Sequence, residues 1–236
     1  MDSVKTTLEK YPWYERARDR IAARANTENP KYGDQTIYED DYVRIENGLA
    51  TVKEPSPPIW EVVINSRWPL FKNATLLDYP QKSKTVLKSI EAGRGLYIQG
   101  SLGTGKTHLL ISIYRYVSEI GRSPVLTSVM EMIDSIKSEM DTKEDWRVPM
   151  FQSADWLFLD DVGSGLLTRY TADRLLAIVT YRYDHQLPTV WTSNFPLDAL
   201  AKALNRDGNM DGDRIASRIQ GMCDLISLTG EDRRRQ

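Results

Sequence analysis

The sequence predicts an α/β fold in which a five-stranded parallel sheet is flanked by helices. From residue 95 onward, short apolar runs alternate with segments of helical periodicity, the pattern of parallel strands joined by crossover helices. A glycine-rich loop separates the first apolar run from the first helix, and two acids follow a later run. Both features fall beyond the carboxyl ends of predicted strands, where parallel sheets bind their ligands.

The predicted elements of this sheet follow one another closely. Apolar runs predict five strands, at residues 96–98, 125–129, 156–159, 188–192 and 225–228. Apolar residues at helical spacing predict three intervening helices, at residues 109–120, 131–140 and 172–183. The chain continues for only a few residues beyond the fifth strand, so we expect no C-terminal helical lid.

Composition limits the classes of protein to consider. Hydrophobic residues make up 41% and charged residues 27% of the 236 residues, as in globular domains. The net charge of −2 excludes a uniformly basic nucleic-acid binder, and the single cysteine excludes an intrachain disulfide and a cysteine zinc cluster. With neither a signal sequence nor a run of about 20 apolar residues, we expect a cytoplasmic protein without membrane contact.

Three closely spaced prolines separate a small N-terminal region, residues 1–58, from the main domain, residues 59–236. An aromatic segment leads into an Ala- and Arg-rich run that we expect to be helical, over residues 11–24. Residues 26–54 show no pattern that assigns a structure. Ser56-Pro57 predicts a helix N-cap followed by proline at the first helical position.

The loop of residues 100–107 carries the most specific motif. Its sequence matches G-x-x-x-x-G-K-[ST] between a strand and a helix, as phosphate binding requires. Glycines let backbone N–H groups surround phosphate oxygens, and the following helix directs its positive end at the same anion. We expect Lys106 to reach the β- and γ-phosphates and Thr107 to bind Mg²⁺. The residues expected to contact ATP are Gly100, Ser101, Leu102, Gly103, Thr104, Gly105, Lys106, Thr107 and His108.

Polar side chains also follow the third and fourth predicted strands. Asp160 is expected to bind Mg²⁺, directly or through water, and Asp161 to polarise the attacking water. Because an aspartate is shorter than a glutamate at the second position, we expect slow hydrolysis. After the fourth strand, Asn194 is the residue expected to contact the γ-phosphate or that water. The alternative is a simple turn in which Asn194 caps the next helix.

Two arginines lie four residues apart near the C-terminus. Arg214 and Arg218 belong to a predicted helix whose Ile215 and Ile219 face the core. Like charges at this spacing cost an isolated helix roughly 0.2–0.5 kcal/mol, which an anionic partner would relieve. In an assembly that partner would be the γ-phosphate bound by a neighbouring subunit, with one arginine acting as a finger. The alternative is a solvated basic face.

The order of these motifs resembles that of DnaC/DnaI-type helicase loaders and IstB-type transposition ATPases. The lead-in at residues 66–80 is followed by the phosphate loop and by residues 159–163, 192–194 and 214–218 in the family's order. The resemblance covers about residues 59–236. It implies an AAA+ P-loop ATPase core with Walker A, Walker B, sensor 1 and box VII at those positions, again without a helical lid.

The resemblance also implies a function. The implied protein is an ATP-dependent loader that places a ring-shaped, hexameric replicative DNA helicase onto single-stranded DNA during replication initiation. The resemblance is compatible with a protein encoded by a phage. Residues 11–24 would dock the helicase, and AAA+ domains would self-associate when ATP is bound. Assembly or single-stranded DNA would stimulate hydrolysis. DNA contacts are expected from Lys137, Lys143 and Trp146, and Arg233 or Arg234 is the candidate sensor 2 residue.

Three alternatives use the same phosphate loop. The nearest is an IstB-type ATPase helper of a transposase, which acts on duplex DNA. A small-molecule kinase would need a lid and an acceptor-binding motif, and neither is visible in the sequence. A non-catalytic adaptor would bind ATP without turnover, and the motifs alone do not separate that behaviour from slow hydrolysis.

Overall fold

A computed structural model describes residues 38–39, 43–46, 49–52, 57–140, 146–164, 168–205, 210–230 and 232. The chain divides into two units, Met1–Pro57 and Pro58–Gln236. The first contains a three-stranded antiparallel sheet of β1 (Tyr38–Glu39), β2 (Val43–Glu46) and β3 (Leu49–Val52) in the order β1-β2-β3. These strands lie where the sequence pattern assigned no structure. The predicted docking segment, residues 11–24, lies outside the described residues.

The second unit is built on a five-stranded parallel sheet. Its strands are β4 (Gly95–Gly100), β5 (Pro124–Ser128), β6 (Trp156–Val162), β7 (Thr189–Ser193) and β8 (Cys223–Leu228). They are ordered β5-β6-β7-β4-β8, and every neighbouring pair is parallel. The α/β fold that the sequence predicts, with a five-stranded parallel sheet, is therefore confirmed.

Eight helices of the described residues surround this sheet. They are α1 (Ile59–Arg67), α2 (Pro80–Glu91), α3 (Lys106–Glu119), α4 (Val129–Met140), α5 (Arg147–Ser153), α6 (Arg169–Asp184), α7 (Leu197–Leu204) and α8 (Asp211–Met222). Two short 3₁₀ turns, Pro69–Phe71 and Leu76–Asp78, join α1 to α2. Among the described residues, none of these helices is both long enough and apolar enough to span a bilayer.

Three boundary predictions were wrong. The N-cap of helix α1 is Pro58, whereas the sequence pattern predicted Ser56 as the N-cap and Pro57 as the first helical residue. Pro57 precedes Pro58, and a residue that precedes proline is disfavoured in helical conformation. Val129 begins α4 instead of ending a strand. Strand β6 does not stop at Leu159 but continues through both acids to Val162. The last difference matters for function, because the acids belong to the sheet itself.

Each face of the sheet carries its own apolar core, and successive strand residues alternate between them. Leu157 and Leu159 pack on the face covered by α4–α8, whereas Phe158 packs on the face covered by α1–α3. Ile215 and Ile219 of α8 are 1% and 0% exposed, as the helical spacing predicted. Both faces of the parallel sheet are thus buried, which leaves its ends for ligands.

A fully buried arginine ties three elements together. Arg182 of α6 is 0% exposed. It donates hydrogen bonds to the carbonyls of Phe151, Gln152, Ala154 and Pro188 and to the Thr189 hydroxyl, at 2.7–3.1 Å. Burial lowers the pKa of its guanidinium to about 10, so the group is still charged at neutral pH. Its bonds join the end of α5, the end of α6 and the start of β7.

A second polar tie anchors the edge strand β8. Asp224 accepts hydrogen bonds from Ser89 Oγ at 2.7 Å and from Arg94 Nε at 2.9 Å. Burial alone would raise the pKa of this carboxyl, but the hydrogen bonds from Ser89 and Arg94 outweigh it and hold the pKa below its ordinary value. The carboxylate therefore joins β8 to α2 and to the residue before β4.

Candidate functional site

The glycine-rich loop lies between β4 and α3 and uses its glycines for geometry. Gly103 and Gly105 have φ of 76° and 93°, in the left-handed region that residues with a side chain rarely adopt. A Cβ at Gly100 would lie 2.4 Å from the Leu228 carbonyl oxygen of the neighbouring strand. Gly105 directly precedes the first residue of α3, so the backbone amides of the loop lie next to the positive N-terminal end of that helix.

Lys106 fills the inside of this loop. Its ammonium donates to the carbonyls of Gly100 and Ser101, both at 2.8 Å, and its side chain is 8% exposed. The Thr104 hydroxyl also donates to the Ser101 carbonyl, at 2.9 Å. Backbone amides, the helix end and an ammonium group therefore converge, which is the arrangement that binds a polyphosphate.

The lead-in between α1 and α2 contacts the loop through Tyr79. The Tyr79 hydroxyl donates to the Gly105 carbonyl at 2.8 Å, and the residue is 4% exposed. His108, in the first turn of α3, packs its ring against Tyr79 and Phe71, with centroids 5.5 and 6.1 Å apart. The sequence analysis gave Tyr79 no role, although its place in the lead-in was visible. The structure makes it a support for the phosphate loop.

Two oxygen-bearing side chains meet beside the loop. Thr107 Oγ1 lies 3.1 Å from each carboxylate oxygen of Asp160. Burial raises the pKa of Asp160, opposed by hydrogen bonds from Thr192 and Thr107. Hydroxyl and carboxylate oxygens suit Mg²⁺, which binds through one or two carboxylates together with phosphate oxygens and water. The described residues contain no group of three or more His, Cys, Asp or Glu that could hold a metal ion.

A β-bulge places both acids opposite one residue. In the β6–β7 pair, Leu159 faces Trp191 and Val162 faces Ser193, so β6 carries one extra residue. Asp160 and Asp161 therefore lie together opposite Thr192 of β7. Asp161 has a φ of 60°, which is unusual for a residue with a side chain. Regular strand geometry would send the two carboxylates to opposite faces, and the bulge removes that restriction.

Thr192 and Ser164 bind the two acids. The Thr192 hydroxyl donates to Asp160 Oδ1 at 2.5 Å and accepts the Asp161 N–H at 2.7 Å. Ser164 Oγ contacts Asp161 Oδ2 at 2.5 Å and the Asp161 carbonyl at 3.1 Å. The sequence analysis preferred Asn194 at the end of β7. Among the described residues, the buried Asn194 Oδ1 has no hydrogen-bond partner, so its role toward water or phosphate stays a prediction.

The two arginines differ in exposure and contacts. The Arg214 side chain is 56% exposed and lies 3.3 Å from Asp211 Oδ1. Arg218 donates to the Arg214 carbonyl at 3.2 Å, and its guanidinium lies 6.0 Å from the centre of the Tyr183 ring. Within the described part of the chain, neither arginine bonds to the phosphate loop. The structure thus does not bring them to the nucleotide site of their own chain.

One contact with the loop was missed by the sequence analysis. Beyond β8, the Asp232 carboxylate lies against Gly103, where an added Cβ would be 1.9 Å from Asp232 Oδ1. The pairing of Gly100 with Leu228 brings this end of β8 alongside the loop. The candidate sensor 2 residues, Arg233 and Arg234, lie outside the described residues. No pattern in the sequence joins residue 232 to residue 103, because the contact depends on strand order.

Two aromatic residues, one directly before α5 and one in α6, each have basic side chains over their rings. Trp146 is 50% exposed, with the Arg147 guanidinium 4.9 Å from its ring centre. The Tyr170 ring has Lys137 at 5.7 Å and Arg174 at 5.2 Å from its centre. Lys143, the third DNA-contact candidate from the sequence, lies outside the described residues.

Comparison with known proteins places these features in a family. The family model of the IstB-like ATP binding protein matches residues 72–236. The replicative helicase loader DnaI of Bacillus subtilis (strain 168) is 29% identical in an alignment over 178 residues, which covers 72% of this chain and 55% of that protein. This chain thus spans little more than half the length of that relative.

Solved structures show the same fold. A crystal structure of DnaI has a TM-score of 0.56 and 28% identity over 68% of this chain and 90% of that one. The crystal structure of the DnaC helicase loader has a TM-score of 0.60 and 24% identity, covering 68% and 99% of the two chains. At that identity the second likeness concerns the fold alone.

Proposed function

Since this chain belongs to the family of IstB-like ATP binding proteins, we propose that it loads a ring-shaped replicative helicase onto single-stranded DNA at the expense of ATP. ATP binding and the ATPase activity follow from the family and the AAA+ fold. The loader role is supported by the likeness to the helicase loader DnaI. The observation that carries the chemistry is the meeting of the Thr107 hydroxyl and the Asp160 carboxylate beside the phosphate loop.

In this proposal each group of the site has one task. The loop amides and Lys106 bind the triphosphate, and Thr107 with Asp160 holds Mg²⁺. The magnesium ion, when bound, neutralises charge on the β- and γ-phosphate oxygens. Asp161 accepts a hydrogen bond from the attacking water, and Asn194 orients that water toward the γ-phosphate. None of these tasks needs a group from another subunit. The negative charge that develops in the transition state is what calls for a further cation.

In this proposal, a neighbouring copy of the chain supplies the cation that stabilises the transition state. Each arginine has a contact within α8, but the Arg214 side chain is 56% exposed, whereas Arg218 is only partly exposed. We therefore assign the arginine finger to Arg214. Because the finger acts on the next subunit's nucleotide, hydrolysis depends on the self-association that ATP favours. Arginine fingers contribute roughly 10³–10⁵-fold to turnover in related chemistry, so an isolated chain would hydrolyse ATP slowly.

The surface of Trp146, Tyr170 and their basic neighbours supports the assignment of single-stranded DNA as a ligand. Arg147 and Arg174 stack over these aromatic rings, and Lys137 lies above Tyr170. Single-strand binders combine aromatic platforms for bases with cations for the backbone. Loss of one stacking platform is expected to cost about 1–3 kcal/mol of binding free energy. Trp146→Ala should therefore weaken single-strand binding more than Trp68→Ala, a change in the lead-in.

The loader proposal is tested by mixing the full chain with hexameric replicative helicases, with ATP and Mg²⁺ and with ADP. Size-exclusion chromatography with multi-angle scattering should show a stable complex of this chain and the helicase in ATP. Lys106→Ala should prevent the increase in molar mass that ATP produces. Failure to bind the helicase of its own host or phage would refute the proposal. Filaments on duplex DNA would instead support the transposase-helper alternative, which the family match also admits.

A further inference from the structure

Thr192 contacts both acids of the site at once. Its hydroxyl donates to the Asp160 carboxylate and accepts the backbone N–H of Asp161. A threonine hydroxyl has one proton to donate and lone pairs to accept another, so both bonds form together without conflict. The residue is 1% exposed, and water cannot readily replace either bond.

The bulge explains why such a tie is needed. The extra residue of β6 interrupts the ladder with β7, so the N–H of Asp161 has no backbone acceptor in the regular register. Its left-handed φ of 60° persists only where the surroundings hold it. The Thr192 hydroxyl supplies the acceptor, and the same oxygen orients the neighbouring carboxylate.

Asp160 is thereby held from two sides. Thr107, on the helix that follows the phosphate loop, approaches both of its oxygens at 3.1 Å. Thr192, on the adjacent strand, approaches Oδ1 from the sheet. A carboxylate fixed in this way presents its oxygens in one direction, which favours a magnesium ion that accepts little distortion of its coordination.

We propose that Thr192 is a positioning residue for ATP hydrolysis, which fixes Asp160 for the metal and fixes the backbone turn that aims Asp161. The inference rests on the ATPase activity of the proposed function and is independent of helicase loading. Thr192 touches neither the nucleotide nor water in this role. It acts through the two aspartates.

The test compares Thr192→Val, Thr192→Ser and the control Thr127→Val in the full chain. Thr127 is a buried strand threonine on β5 whose hydroxyl bonds to the Ser128 carbonyl and to Glu131, and so contacts neither acid. The first readout is the kcat and KM of ATP hydrolysis. The second is the affinity for a fluorescent, non-hydrolysable ATP analogue in Mg²⁺ and in EDTA.

Loss of a residue that orients a metal ligand lowers metal affinity or activity roughly 10–100-fold. Thr192→Val should lower kcat by that factor and abolish most of the tightening that Mg²⁺ gives to analogue binding. Its affinity in EDTA should stay within about twofold of wild type, because the phosphate loop is untouched. Thr192→Ser keeps the hydroxyl and should retain both properties, as should Thr127→Val.

Wild-type kcat and wild-type magnesium dependence in Thr192→Val would overturn the proposal. So would a serine variant as impaired as the valine variant, because the hydroxyl would then not be the active feature. Thermal unfolding identifies a valine variant that does not fold, and Thr192→Ala then serves the same comparison. A failed loader proposal would show as a wild-type chain that hydrolyses ATP without binding helicase, so the two failures are distinguishable.

Discussion

Replacing Arg182 by methionine should destabilise the fold strongly. Methionine keeps an unbranched apolar stem, but it is shorter than arginine and removes all five hydrogen bonds of the guanidinium. At about 1 kcal/mol net for each bond, the loss approaches 5 kcal/mol. Part of this loss is offset, because the methionine variant no longer has to desolvate a charged group in the interior. We therefore expect the free energy of unfolding to fall by about 3–5 kcal/mol, a large share of the total for a domain.

This expectation is checked by urea and thermal unfolding followed by circular dichroism. For a domain of this size, a loss of about 3–5 kcal/mol corresponds to a fall in Tm of roughly 6–20 °C. Arg122→Met is the matched control, because the Arg122 side chain is 57% exposed and lies 3.9 Å from Asp155. It should change the free energy of unfolding by less than about 0.5 kcal/mol. An Arg182→Met protein within about 1 kcal/mol of wild type would refute the reasoning.

Three further predictions concern the loop and the edge strand. Tyr79→Phe removes one hydrogen bond to Gly105 and should weaken ATP binding about fivefold by titration calorimetry, with little loss of fold stability. Asp232→Asn removes a negative charge beside Gly103 and should tighten ATP binding roughly two- to fivefold, an effect that salt should reduce. The pKa of Asp224 is lower in the folded protein than its ordinary value of 3.8. The carboxylate therefore stabilises the fold above pH 3.8, and this contribution is lost as the pH falls through the pKa of the folded state. Asp224→Asn should accordingly flatten the loss of Tm below about pH 4, and an unchanged acid limb would contradict this assignment.

The sequence could predict what is encoded locally. Apolar runs predicted each strand of the parallel sheet to within a few residues, and the phosphate loop is complete within eight positions. Helix α2 was missed because only Val86 and Ile90 are buried apolar residues on it, too few to form an apolar pattern. Arg182 gave no signal either, since an arginine in an amphipathic helix ordinarily predicts an exposed position. Its burial depends on carbonyls that come from elsewhere in the chain.

The arrangement of the acids was beyond sequence reasoning for a related reason. Asp160 and Asp161 are adjacent in any register, but their common approach to Thr192 depends on how β6 pairs with a strand about thirty residues later. A regular pairing of the same sequence would place the two carboxylates on opposite faces. Thr192 gave no signal in the sequence for the same reason, because without the bulge nothing singles out the threonine.

The slow hydrolysis expected from the sequence would have a second cause in the bulge, apart from side-chain length. Asp161 already accepts a hydrogen bond at Oδ2 from Ser164, and its backbone is fixed by Thr192. Both carboxylate oxygens keep a lone pair for a hydrogen bond from an attacking water, but the bonds from Ser164 and to Thr192 fix the direction in which the carboxylate faces. In the proposed function, a carboxylate held in one direction would let bound ATP persist until the arginine of a neighbouring copy completes the site.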